Sequence, residues 1–340
     1  MPSRHAGWCE RGGGASLPPI SIWGGGSTPA RLWPANFLCP FPPVYGTSIT
    51  VSLEKPSPCK VNLLLNILGR RADGFHELET VLHPIRVFDR LTFARASQGI
   101  QLSCTLPGLP TDARNLVYRA AAMFLEAAKI KEGVRMELEK HIPLAAGLGG
   151  GSGNAATALL GLNELFGGPL TPGQLQIIAV SLGSDVPFFL QGQPALATGR
   201  GERIEPLESF PALRGAAFVL IHPGFGIATA WAYQQLARFP RALNGRPGRA
   251  QQLISLLQSA NLATAGAEFY NSLEAPALEK CPLLALFQEF LRANGAAATL
   301  MSGSGSTTFA VVPGQAAGEE LIEKFKARFG QTNWTAVVCV

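Results

Sequence analysis

The sequence predicts an α+β chain folded into two bodies, and three observations carry that expectation. Its 340 residues suffice for about two domains at roughly 150 residues each. β-rich runs lead the chain after position 49 and then mix with helical patterns without a regular strand-helix repeat, which is the mark of the α+β class. Pro206, Pro211 and Gly215 place a boundary in the loop from 207 to 215. The domains are therefore expected at 47–207 and 208–340, behind an extension at 1–46.

That extension holds eight Gly, eight Pro, three of the five Trp and one acidic residue, Glu10, a composition that cannot hold a regular element. Pro18 and Pro19 break its only apolar run, so it is no secretory signal, and it is too poor in Ser and Arg for a transit peptide. It reads as a disordered segment, or as translated sequence upstream of the true start. Val61 to Leu68 and Thr80 to Phe93 are β-rich, and Val134 to Leu138 alternates apolar and polar residues. Asp112 is placed to cap a helix whose apolar face carries Leu116, Ala120, Met123, Phe124 and Ala127. A second helix should run from near Ser152 to Phe166. A third should start at Thr171, with Pro172 in its first turn and Leu175, Ile178, Ala179 and Leu182 as its stripe. Beyond the boundary come a strand at 216–222, helical runs near 228–238, 250–260 and 276–293, short strands at 297–301 and 307–312, and a helix at 316–328.

Composition excludes several classes. With 47% hydrophobic and 15% charged residues the body is not a solvated, disordered chain. The net charge of +5 is spread without a Lys or Arg run, which argues against nucleic acid and leaves an anionic small ligand open. The longest apolar stretches fall well short of the roughly 18 to 20 residues that cross a bilayer. Six cysteines without a Cys-x-x-Cys pair or a His at zinc spacing suggest neither a metal site nor a disulfide scaffold, so reduced thiols and a cytoplasmic location are expected.

The segment richest in chemistry runs through Pro143, Leu144, Ala145, Ala146, Gly147, Leu148, Gly149, Gly150, Gly151, Ser152 and Gly153, between a strand and an alanine-rich helix. Successive glycines let backbone N–H groups converge on a phosphate, and the helix adds its positive end. The P-loop pattern is absent, because no Gly-Lys dipeptide occurs in the chain. Gly151-x-Gly153-x-x-Ala156 fits the loose dinucleotide pattern, but no acid stands at 170–180 to hold a ribose. A plain glycine linker is the remaining alternative, and the strong helix pattern that follows weighs against it.

The run Pro-x-x-x-Gly-Leu-Gly-Gly-Gly-Ser-x-Asn-Ala-Ala resembles the phosphate loop of the GHMP kinase superfamily of small-molecule kinases. Ser57-Pro-Cys-Lys-Val-Asn-Leu63 and Met301-Ser-Gly-Ser-Gly-Ser-Thr307 extend the resemblance in the same order along the chain. It implies an N-terminal α/β domain of the ribosomal protein S5 domain 2-like type and a C-terminal ferredoxin-like α+β domain. It also implies ATP as phosphoryl donor with Mg²⁺ accompanying it, no resident protein-bound metal, and an active-site role for Gly303, Ser304 and Gly305. Gly69-Arg-Arg-Ala-Asp-Gly-Phe-His76, Ser184-Asp-Val-Pro-Phe-Phe189, Gly199-Arg-Gly-Glu202 and His222-Pro-Gly-Phe-Gly-Ile227 resemble the branch that phosphorylates a cytidine diphosphate-linked polyol on the non-mevalonate route to isoprenoids.

By that resemblance Asp185 takes the proton of the acceptor hydroxyl, and Lys60 orients the hydroxyl and balances charge in the transition state. Phe75 and His76 stack and read the cytosine, Tyr233 is the candidate opposite ring, and Asn62 binds the polyol. The bland readings are a helix-end cap for Asp185, a solvated strand charge for Lys60 and a core aromatic for Tyr233. Cys59, Phe75 and Ala145-Ala146 depart from the family's usual alanine, tyrosine and glycine, and none of them removes a charged group. The alternatives are a GHMP kinase for mevalonate, homoserine or a sugar, and a non-catalytic sensor on the same scaffold. The partners expected are small molecules only, with the chain a monomer or weak homodimer.

Overall fold

The computed structural model describes residues 52–259 and 261–340, so the reading of the extension at 1–46 lies outside the described residues. Two sheets organise this body. The first contains β1 (Leu53–Arg70), β2 (His76–Ala96), β3 (Ile100–Cys104), β4 (Gly133–Glu139), β5 (Ala195–Gly199), β6 (Arg203–Pro206) and a two-residue β8 (Tyr270–Asn271). Its order is β3-β4-β2-β1-β8, with β5 and β6 joined at the other end of β2. The second sheet is β11-β7-β10-β9, built from β7 (Ala217–His222), β9 (Ala298–Met301), β10 (Thr308–Val312) and β11 (Trp334–Cys339), all antiparallel. Ten α-helices complete it: α1 (Leu116–Ala127), α2 (Gly150–Leu165), α3 (Pro172–Leu182), α4 (Thr229–Gln235), α5 (Pro240–Leu243), α6 (Arg249–Gln258), α7 (Leu262–Gly266), α8 (Glu274–Lys280), α9 (Pro282–Ala293) and α10 (Gln315–Phe329).

The apolar run of β1 is buried on both faces through its middle, which is why it reads as continuous rather than alternating. α1, α2 and α3 cover one side of the first sheet, where Phe93, Phe124, Leu159, Leu162 and Phe188 form the core. The stripe of α3 is buried as expected, and Thr171 caps the helix in a reciprocal box with Gln174. The cap of α1 is Asn115 rather than Asp112. Asn115 Oδ1 accepts from Val117 N at 2.9 Å, while the Asp112 carboxylate is held by Arg114, 2.7 Å away. The helix therefore starts later, and its buried face is Val117, Ala120, Ala121 and Phe124. The helical run at 276–293 is two helices, because Pro282 cannot continue α8 and instead opens α9. β11, β3 and the β5–β6 hairpin were not anticipated. Among the described residues no helix is long and apolar enough to cross a membrane.

His83 of β2 is buried against Phe210 and Phe218, with ring centroids 6.2 and 5.3 Å away. Burial holds its pKa down to about 4, against a partial compensation from the bond to the Pro84 carbonyl. The unfolded chain binds this proton from about pH 6.5 downward and the folded chain resists until about 4. The stabilising effect is therefore complete above the unfolded value and is lost as pH falls. We expect wild type to lose roughly 2 kcal/mol between pH 7 and pH 5 through this residue. His83→Leu should flatten that part of the profile, and Tm measured at both pH values for both proteins checks it.

Candidate active site

The phosphate loop folds as it does because of glycines at two joints. Gly147 and Gly149 both take left-handed φ values, +76° and +69°, and Gly149 is the N-cap of α2, which starts at Gly150, two residues earlier than Ser152. A Cβ on Gly147 would lie 2.0 Å from the Ser302 carbonyl oxygen, and one on Gly303 would lie 2.9 Å from the Gly147 oxygen. The phosphate loop and the 302–307 loop between β9 and β10 are thus packed backbone to backbone, with Thr307 N donating to the Ala146 carbonyl at 3.1 Å. α2 meets β1 equally closely, since a Cβ on Gly153 would lie 2.4 Å from the Pro58 oxygen.

Lys60 sits where these loops meet. Its Nζ donates to the Gly147 carbonyl at 2.8 Å and to Asn62 Oδ1 at 2.6 Å, and lies 3.8 Å from Asp185 Oδ2. Its side chain is 4% exposed, so it is not a solvated strand charge, whereas Asp185, in the turn after α3, keeps 43% of its side chain open to solvent. Burial lowers the Lys60 pKa, and the Asp185 carboxylate opposes that shift. Asn62, two residues along β1, spends its amide N–H on Thr80 Oγ1 at 2.9 Å. In this arrangement it orients the lysine.

These groups line one cleft of about 1040 Å³, which also takes in Pro143 to Ser152, Phe75, His76, Tyr233, Gly303 and Ser304. Gly153 and Gly305 do not line it: Gly153 is buried against β1, and a Cβ on Gly305 would meet the Met301 sulfur at 2.5 Å. Phe75 is 53% exposed at the tip between β1 and β2. His76 and Tyr233 face each other with centroids 5.1 Å apart and planes tilted by 40°. The group lying over the Phe75 ring is the Arg200 guanidinium, 4.6 Å from the centroid. Burial, then the charge of Arg70, lowers the His76 pKa; burial, then the Asp185 charge, raises that of Tyr233.

Several residues of this site escaped the sequence reading. Asn271 of β8 donates to the carbonyls of Met301 and Gly303 at 2.8 and 2.7 Å and so fixes the second glycine loop. No local signal marks it, because its role depends on β8 pairing parallel with β1 more than 200 residues away. Asp89 is fully buried beneath the phosphate loop. It accepts from Lys140 Nζ, from the His141 and Ile142 amides at 2.7 and 2.9 Å, and from Asn154 Nδ2 at 2.9 Å. Asn154 of α2 thereby ties the helix to both central strands, since the amide that meets Asp89 on β2 also donates to Ser57 Oγ on β1 at 2.9 Å. The asparagine in the Gly-Gly-Gly-Ser-x-Asn run was the available hint.

A buried lysine against an open carboxylate, beside two glycine loops and the start of a helix, is an arrangement for moving a phosphoryl group onto a small hydroxylated acceptor. Two family models agree: GHMP kinases N terminal domain over residues 115–193 and GHMP kinases C terminal over 251–331. A 4-diphosphocytidyl-2-C-methyl-D-erythritol kinase of Synechococcus sp. (strain JA-3-3Ab) is 42% identical over 259 residues, 74% of this chain and 82% of that relative. One from Thermosynechococcus vestitus is 38% identical over 297 residues, 83% of this chain and 94% of the relative. A crystal structure of 4-(cytidine 5'-diphospho)-2C-methyl-D-erythritol kinase superposes with a TM-score of 0.68 at 35% identity, covering 85% of this chain and all of that one. Homoserine kinase from Cytophaga hutchinsonii gives the same TM-score at 21% identity, a likeness of fold alone. The chain belongs to the GHMP kinase family, in its group of 4-diphosphocytidyl-2-C-methyl-D-erythritol kinases. It is a small-molecule kinase.

Proposed function

We propose that this kinase transfers the γ-phosphoryl group of ATP to the 2-hydroxyl of 4-diphosphocytidyl-2-C-methyl-D-erythritol. The observation that carries the reading is the 3.8 Å approach of Lys60 Nζ to Asp185 Oδ2, in a cleft lined as well by the phosphate loop and by Phe75, His76 and Tyr233. The open Asp185 carboxylate accepts the hydroxyl proton as the oxygen bonds to phosphorus and the bond to ADP breaks. Lys60, pinned by Gly147 and Asn62, holds positive charge beside the group in transit. Backbone N–H groups of the loop and the first turn of α2 hold the nucleotide phosphates.

No group of three His, Cys, Asp or Glu stands ready for a metal among the described residues. A Mg²⁺ carried on the nucleotide fits this site, since Mg²⁺ takes most of its ligands from phosphate and water, and Ser152 offers a cleft-lining hydroxyl with no hydrogen bond of its own among the described residues. When bound, such an ion neutralises phosphate charge.

Turnover of ATP with the cytidylated polyol, set against mevalonate and homoserine, tests the acceptor directly; activity confined to either of the latter would sink the proposal. A second expectation separates the two nucleotide sites. Phe75→Ala should weaken the cytidylated acceptor by about 1 to 3 kcal/mol through lost stacking and leave ATP binding unchanged. Calorimetric titration of each ligand reads this, and loss of ATP with the acceptor retained would contradict it.

A further inference from the structure

The cleft is lined by four cationic side chains, Lys60, Arg70, Lys140 and Arg200. Both ammonium groups are committed, Lys60 to Gly147 and Asn62, Lys140 to Asp89 and Asn154. The guanidinium groups of Arg70 and Arg200 make no hydrogen bond among the described residues, and Arg200 is the one laid over an aromatic ring that faces the cleft.

Its position is built into the backbone. Arg200 stands at the tip of the β5–β6 hairpin between Gly199 and Gly201, whose φ values of +75° and +101° make a turn that side chains disfavour. Glu202 closes the turn by accepting the Arg200 backbone N–H at 2.6 Å, and its carboxylate stays 3.9 Å from Arg200 Nε, too far for a hydrogen bond. The hairpin is fixed beside the Phe75 tip, since Gly199 pairs with Leu78 across β2 and Arg203 meets Glu77 at 3.2 Å. The result is a flat, partly exposed guanidinium with its donors free, 4.6 Å from the centre of the Phe75 ring. A base stacked at that ring carries its phosphates within an arginine's reach. The planar donor fork suits phosphate oxygens better than a lysine's point charge does.

We propose that Arg200 is a specificity-determining residue that pairs with the diphosphate of the nucleotide-linked acceptor. The proposal rests on the acceptor reading given above. The turn's own bonds involve the Arg200 backbone, so changing the side chain should leave the fold intact.

Cytidine and CDP are the probes, titrated calorimetrically into wild type, Arg200→Gln, Arg200→Lys and, as a control, Arg70→Gln. Arg200→Gln should weaken CDP by about tenfold or more while cytidine changes less than threefold and ATP stays as in wild type. Arg200→Lys should recover only part of the loss. The Arg200 assignment is overturned, with the acceptor reading intact, if CDP binds Arg200→Gln as it binds wild type, if cytidine falls as much as CDP, or if Arg70→Gln takes the CDP-selective loss instead. A wild-type protein that binds neither CDP nor cytidine overturns the acceptor reading itself, and the Arg200 proposal with it.

Discussion

Asp185→Asn is expected to lower kcat by about 10² to 10⁴ while both substrates still bind, because the change keeps the size of the side chain and removes the proton acceptor. The carboxylate is 43% exposed in the cleft, so an acceptor hydroxyl can reach it. It is also the counter-charge nearest the buried Lys60 ammonium, and its loss removes the interaction that favours the charged lysine there. Both consequences act on the chemical step rather than on the stacking residues or the phosphate loop. Initial rates for kcat, with calorimetry for each substrate, separate the effects. A fall of less than tenfold, or a loss of ATP affinity that accounts for the whole defect, would falsify the assignment of Asp185 as base.

Gly147→Val should have the largest effect on the nucleotide half of the site. The new side chain would need left-handed backbone at φ +76° and would place a Cβ 2.0 Å from the Ser302 oxygen and 2.9 Å from Gly305 N. Neither neighbour is a flexible side-chain end, so one of the two glycine loops must move. Gly147 supplies the carbonyl that receives both Lys60 Nζ and Ser302 Oγ, so that movement also releases the lysine. We expect at least a 10²-fold loss of ATP affinity together with a clear fall in Tm, of order 3 kcal/mol in stability. Gly151→Ala is the matched control, because its Cβ would meet nothing nearer than Leu116 Cδ1 at 3.9 Å, and it should keep the wild-type Tm. Equal melting of Gly147→Val and wild type would show that the two loops are not locked together.

The glycine loop was legible because its grammar is local, residue types at short spacings that a tight turn and a helix start require, whereas Lys60, Asn62 and Asp185 were picked out by their motifs' resemblance to the GHMP kinases. The stripe of α3 was legible for the same local reason as the loop, since a 3.6-residue period is written along the chain. What was misplaced turned on competition between neighbours. Asp112 and Asn115 are both good caps, and only the geometry of Arg114 shows that the aspartate is already taken. The protein contacts of Asn62 and Tyr233 were not legible either. Asn62 holds the lysine and Thr80, and Tyr233 meets the His76 ring, contacts that residue type alone does not specify.

The α+β class and the reading of the glycine run as an anion cradle came from the sequence alone, since each follows from short-range pattern and residue chemistry, while Lys60 and Asp185 were singled out by their motifs' resemblance to the GHMP kinases and stand 3.8 Å apart only through the fold. Only the tertiary structure decided that the 302–307 loop lies against Gly147, that Asn271 fixes that loop, that Asp89 fastens the loop from beneath, and that Arg200 covers Phe75. Those contacts join residues far apart in the chain through sheet register and backbone packing, and a pairing between distant strands leaves no periodic trace in either of them.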